Sequence, residues 1–518
     1  MPRHANGTPA SCDRSVLAVT LGTVCATLAV ASAAMLAPGP AQALPSYARQ
    51  TGQPCATCHT AFPELTPYGR RFKLLGYTAG GTRCRQEVRA AGDAGGSLKD
   101  EAALRSYLDG PGAATIAATG GGSGGFDPHN IPAVSFMVIP SFTHTAKDQT
   151  ADQLAGLVPG VGSNDNWQLQ TASVFYGGQI YCDLGAFVQG THDANSTYAT
   201  LFLDNTDFRY ARTARVLEQD IIFGATVHNN PTVQDVWNST PAWGFPQQTS
   251  GIAPSPGAGP MLENGVFGGR VIGYGAYVFI NDMLYGEFTA YKAMNSQTLA
   301  SLGQDPFDGS DRISGMAPYW RLALEKNWGE HSLMLGTFGM LADTFPGNDR
   351  SAGTDRFLDV GIDGQYQYLG DVHGLSARFS YIMERQNRDA SVLLGAAANI
   401  KDTLNSFKAS ATYHYEVPPL TGSKFAVTGG YFNLRGSNDA LLYTANDTAS
   451  PNSAGWIGEI AWLPFSRGNI AAWPWYNMRI GVQYTAYTKF DGSSSNTDGN
   501  GRKASDNNTL YTYFWTAF

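Results

Sequence analysis

The residues best equipped for chemistry in this chain are Cys55-Ala56-Thr57-Cys58-His59. Two thiols at this spacing, followed at once by an imidazole, suit covalent attachment of a porphyrin through its vinyl groups, with the histidine ligating iron. A redox dithiol or half of a zinc site shares the C-x-x-C part. The adjoining histidine, an export signal upstream and the lack of a second C-x-x-C favour haem. The motif therefore predicts an electron carrier with one covalent haem c, bonded to Cys55 and Cys58 and ligated on its proximal side by His59. The sixth ligand stays open among His129, His144, His192, His228, His331, His373, His414 and the methionines. His228 and His144 come first because each ends a predicted strand. The haem segment itself contains no methionine, so a methionine ligand must come from farther along the chain. Arg70, Arg71 and Lys73 form a basic cluster suited either to haem propionates or to a solvated face, and Phe62, Tyr68 and Phe72 are suited to shielding the porphyrin edge.

The elements that must position this motif follow from composition and patterning. Of 518 residues, 60 are glycine, 12% are aromatic and only 15% are charged, against roughly 25% charged in soluble domains. A mean hydropathy of -0.20 excludes a bundle of membrane helices. A net charge of -8 argues against a nucleic-acid partner. Arg3 and Arg14, an apolar stretch from Val16 to Leu36 and the small-residue pattern Ala41-Gln42-Ala43 read as a signal peptide over residues 1–43, with a retained anchor as the alternative. Residues 44–82 then form a short cytochrome segment with too few apolar residues for a core of its own. Residues 83–130 read as a Gly/Ala-rich linker, with a short helix expected over 97–108. Cys84 and Cys182 remain either for one disulfide in an oxidising compartment or as two unrelated thiols.

From residue 131 to Phe518 the chain repeats aromatic and β-branched segments separated by Gly, Asn, Asp and Ser. Connections alternate between short ones (Gly177-Gly178, Asn281-Asp282, Gly370-Asp371-Val372) and long ones (146–166, 229–264, 436–454). The last segment, Thr509 to Phe518, alternates and ends on an aromatic residue. This parity predicts a transmembrane antiparallel β-barrel of about sixteen strands in the outer membrane of a Gram-negative bacterium, with both termini on the periplasmic side. A soluble sandwich or propeller does not predict the parity.

Three stretches carry a family resemblance. Leu44-Pro45-Ser46-Tyr47-Ala48-Arg49-Gln50-Thr51-Gly52, the haem motif and the run from Phe62 to Thr78 closely resemble the fused monohaem cytochrome–porins of iron-oxidising bacteria. So do Leu203-Asp204-Asn205-Thr206-Asp207-Phe208-Arg209-Tyr210 and the segment from Asn229 to Pro246. The stretch from Arg83 to His129 looks longer than the family's usual connection. The resemblance implies an outer-membrane cytochrome that takes electrons from extracellular ferrous iron and passes them to a periplasmic cytochrome or other carrier. Its activity would be that of an iron:cytochrome c oxidoreductase. The roles that carry over are those of Cys55, Cys58 and His59.

Beside the resemblance, strand counting puts 229–246 at the start of the long loop after the fifth strand. We expect this segment to fold into the lumen, line a constriction and bring Trp237 and Trp243 toward the porphyrin, the alternative being an external loop. Asp165, Asp204 and Asp235 are candidate contacts for ferrous ion, though isolated acidic residues are usually just solvated. Two other functions fit the same elements: solute diffusion with a haem-bearing plug or gate, and electron export to an external acceptor.

Overall fold

The structure, a computed structural model, describes residues 45–78, 133–155, 157–194, 196, 198–417, 422–444, 448–466 and 474–518. The expected signal peptide, linker and 97–108 helix, together with Cys84 and His129, lie outside these residues.

Among the described residues, an antiparallel sheet of seventeen strands closes on itself. The strands are β1 (Val134–Thr145), β2 (Asn166–Tyr181), β3 (Leu184–His192), β4 (Leu201–Val216), β5 (Gln219–His228), β6 (Val271–Ile280), β7 (Leu284–Ala293), β8 (Arg312–Ile313), β9 (Ala317–Trp328), β10 (His331–Phe345), β11 (Asp355–Leu369), β12 (His373–Asn387), β13 (Lys401–Glu416), β14 (Lys424–Gly436), β15 (Ser453–Leu463), β16 (Asn477–Lys489) and β17 (Thr509–Ala517). β8 is only two residues long and pairs with the end of β10, which leaves a barrel of sixteen strands. Closure is made by β1, which pairs with β2 on one side and β17 on the other, so among the described residues the barrel has no open edge. At the seam the terminal residue takes part: Phe518 N donates to Phe136 O at 2.7 Å and Phe136 N to Phe518 O at 2.9 Å.

The side-chain pattern identifies the solvent on each face. Along β9, Tyr319, Arg321, Ala323 and Glu325 are buried in the interior while Leu322 and Leu324 are 55% and 56% exposed outside. Along β15, Glu459 is buried while Trp456 and Ile460 face outward. Charge inside and hydrocarbon outside is the reverse of a soluble barrel, and it is the arrangement of strands that cross a bilayer. The chain is an outer-membrane β-barrel.

One end of the barrel carries tight turns. Leu217 and Glu218, and Asn281 and Asp282, both adopt positive φ, the mirror-image turns that match strand twist. Tight turns of bacterial barrels lie in the periplasm. The expected turn at Gly177-Gly178 is corrected: both residues lie within β2, and the chain reverses at 182–183 instead. The glycines are there because something packs against them. A Cβ on Gly177 would meet the Tyr47 ring and Ser46 Oγ at 3.1 Å, and one on Gly178 would meet the Gln50 amide at 2.1 Å. Cys182 is disulfide-bonded; Cys84, the partner expected for it, lies outside the described residues.

Two segments enter the lumen. The N-terminal residues 45–78 dock at the short-turn end, and residues 229–270, between β5 and β6, fold in from the long-loop end.

Candidate functional site

Three short helices organise the N-terminal segment: α1 (Pro45–Thr51), α2 (Cys55–Cys58) and α3 (Pro67–Leu74). α2 is the C-x-x-C itself wound into one turn, closed by His59 N donating to Cys55 O at 2.9 Å. Helical winding puts residues three apart on one side, which brings Cys55 and Cys58 to the same face. The chain then folds back, with His59 bridging to Leu65 and Thr66 N donating to Cys58 O at 2.9 Å. Thr66 caps α3 through Gly69 N at 3.1 Å, and Pro67 begins the helix without needing a donor. Gly69 lets α3 lie directly on the haem motif: a Cβ there would sit 2.3 Å from Cys58 O.

The barrel wall grips this segment through buried charge. Arg70 pairs with Glu325 at 2.9 Å and donates to Gln365, Gln367 and Ser332. Glu64 is ion-paired with Arg378 and accepts from Thr412 at 2.9 Å. Lys424 Nζ donates to Thr60 O at 2.6 Å, and Arg479 Nη1 to Phe62 O at 2.5 Å. Arg71 pairs with Asp282 in a short turn. Lys73 Nζ donates to Val233 O and Asp235 O, both at 2.7 Å, and lies over the Trp243 ring. Arg70 and Lys73 are thus buried and Arg71 half-buried, and all three are engaged by protein groups: the cluster locks the segment to the wall and to the inserted loop.

Cys55, Cys58 and His59 all line one cavity of about 580 Å³, within the roughly 300–1,000 Å³ of cofactor sites. Aromatic rings reach it from three sides: Phe62 and Phe72 from the segment, Phe175, Phe187 and Trp515 from the barrel, and Trp243 from the inserted loop. Tyr68 is not among the lining residues.

The residues fit a haem on three counts. His59 Nδ1 lies 3.2 Å from Pro63 O, an acceptor only, so Nδ1 carries the proton and Nε2 keeps its lone pair. Burial, partly offset by hydrogen bonds to Pro63 and Glu64, pushes His59 down to about 4, which keeps the ring neutral. Burial also raises Cys55 to about 11 and Cys58 to about 12, whereas a redox dithiol needs a lowered thiol. Finally, Tyr47 Oη and Trp515 Nε1 are buried on the cavity wall without a hydrogen-bond partner, donors suited to an occupant with a polar edge.

The two histidines put first as sixth ligands lie away from the cavity. His228 is buried elsewhere, with Nε2 2.5 Å from Tyr291 Oη and Nδ1 3.2 Å from Thr226 Oγ1. His144 is half-exposed and paired with Asp165 at 2.8 Å. Neither lines the cavity. The three aspartates are also dispersed. Asp165 holds His144, Asp204 lines the cavity, and Asp235 is buried beside Arg321, accepting from Trp237, Ser239 and Thr240 N–H groups. Among the described residues no group of three or more His, Cys, Asp or Glu gathers to hold a metal ion.

The inserted loop lies inside, as expected. Trp243 reaches the cavity, whereas Trp237 packs behind it and donates Nε1 to Glu325 at 2.5 Å. A second cavity of about 650 Å³ lies on the other side of this loop, and Asn238, Pro241, Gly244 and Pro246 line both. The residues missed from sequence are Met137, Phe175, Phe187 and Trp515. Their only signal is position on alternate, inward-facing places of β1, β2, β3 and β17.

No protein-family model matches the chain, and no curated protein is significantly similar to it. Among solved structures it is similar to the anion-selective porin from Comamonas acidovorans, with 11% identity, 74% of this chain and 98% of that one covered, and a TM-score of 0.40. It is also similar to OmpF of Salmonella typhi in complex with daunomycin (11% identity, 74% and 97% covered, TM-score 0.41) and to OmpT of Vibrio cholerae (10% identity, 74% and 96% covered, TM-score 0.36). The class assigned above, an outer-membrane β-barrel, rests on strand register and side-chain pattern rather than on these likenesses.

Proposed function

We propose that this protein is an outer-membrane monohaem cytochrome–porin that takes electrons from extracellular ferrous iron and passes them to periplasmic carriers. The observation that carries this reading is the convergence of Cys55, Cys58 and His59 on one cavity inside a membrane-spanning barrel. A haem c bound there supplies a one-electron ferric/ferrous couple. Cys55 and Cys58 hold it through thioethers, and His59 offers Nε2. Phe62, Phe72, Phe175, Phe187 and Trp515 exclude water, which disfavours the more highly charged ferric state and so raises the potential. The docking residues hold this cavity toward the short-turn end, the side a periplasmic acceptor approaches. A bilayer core of about 30 Å is too thick for one useful electron hop, so the interior position shortens the gap that donor and acceptor must cover.

The test is stopped-flow absorbance of the purified, oxidised protein mixed with ferrous iron, following the Soret and α bands. Rapid reduction is the expected outcome. Reduction by dithionite but not by ferrous iron would overturn iron as the donor.

A further inference from the structure

On the reading that haem occupies the cavity, one of the iron's two axial positions has no assigned residue. We propose that Met137, on the inner face of β1, is the sixth ligand and completes the axial pair with His59.

The cavity wall itself narrows the choice. His59 is the one described histidine that lines it. His192 is flanked in β3 and its following loop by Thr191 and Asp193, which do line the cavity, so strand alternation turns His192 away. His331 stacks on Trp328 and bonds Tyr366, and His373 bonds Tyr413. His414 lies in β13, beyond the cavity wall. Two of the other donors on the wall are engaged elsewhere: Lys73 Nζ is held by two carbonyls, and Asp204 accepts from Thr191. Met137 is 6% exposed and is the one methionine among the lining residues. Its thioether has no hydrogen-bonding task, and it sits among Phe72, Tyr77, Phe175 and Trp515.

Two features make it a supported ligand rather than a gap-filling side chain. Met137 is paired on both sides, with Ser173 of β2 and Ala517 of β17, so its backbone is fixed in the sheet. The segment bearing His59 is also tied to the same strand just before Met137: Arg49 Nη2 donates to Val134 O at 2.5 Å and Ser46 N to Ser135 Oγ at 3.3 Å. The two axial residues are thereby held in one frame. A thioether favours ferrous iron, so a histidine–methionine pair gives a higher potential than two imidazoles.

The experiment uses the full-length protein purified in detergent. Covalent haem is established first, by haem staining after denaturation and by the pyridine haemochrome spectrum. The wild type is expected to show the red charge-transfer band of thioether-bound ferric iron and, when reduced, a methionine methyl NMR signal shifted far upfield. Met137→Leu, which keeps the volume, is expected to lose both signals while retaining the haem. Met137→His is expected to give a low-spin spectrum with a lower potential. Met261→Leu, a change in the inserted loop away from the cavity, leaves both signals in place. Covalent haem without the methionine signals in wild type, or their survival in Met137→Leu, would overturn the assignment while leaving the haem reading intact. Absence of covalent haem would overturn that reading and this assignment with it.

Discussion

Glu64 shows how single residues anchor the haem motif. Burial raises its carboxyl, but Arg378, Thr412, Arg479 and Thr60 outweigh burial and hold it below the ordinary glutamate value. With its docked pKa depressed, Glu64 stabilises docking at all pH values above the ordinary glutamate range. That contribution is lost as pH falls through the depressed value. An acid titration followed by protease sensitivity of residues 45–78 is expected to show release only below the ordinary glutamate range, and Glu64→Gln to flatten this limb. Arg378→Leu leaves a carboxylate buried without its partner and is expected to destabilise docking by about 3–5 kcal/mol. Adding Glu64→Gln to Arg378→Leu is expected to recover most of the loss, measured by the same proteolysis.

At the scale of elements, the inserted loop determines the shape of the site. Asn238, Pro241, Gly244 and Pro246 separate the two cavities, so deleting 238–245 is expected to merge them, wet the aromatic wall and shift the haem absorbance bands. An unchanged spectrum would mean the loop does not shape the haem environment. This element was legible in sequence because strand parity dates it to the gap after β5. The strands themselves were legible wherever aromatic and polar residues alternate, as at β11, β12 and β14. Gly177-Gly178 misled because glycine serves two purposes, reversal of a chain and close approach of another segment, and only the second operates here. Cys55, Cys58 and His59 were readable because C-x-x-C-H is the spacing that covalent haem attachment, the proposed reading, requires. Met137 was not, since a methionine on an inward strand position looks the same whether it fills space or faces a cofactor. The sequence likewise offers no sign that Arg70 and Arg71 face the wall and Lys73 the inserted loop, because their partners lie far along the chain in β9, β11, the 281–283 turn and residues 233–243.

The described residues form a barrel with two internal segments, and their packing bears on whether solutes pass. Reconstituted in planar bilayers, the protein is expected to conduct weakly, with the same conductance whether oxidised or reduced by dithionite. A redox-dependent jump in current would favour the gated-porin alternative. The reason lies in how residues 45–78 are fastened. Arg70 engages β9, β10 and β11, Glu64 reaches β12 and β13, the carbonyls of Thr60 and Phe62 accept from β14 and β16, and α1 is bonded to β1. A valve must swing, and this one would have to release its fastenings on nearly every side of the barrel at once, stranding opposite charges in the wall. The segment is a fixture, and on the proposed reading what crosses the protein is charge rather than matter.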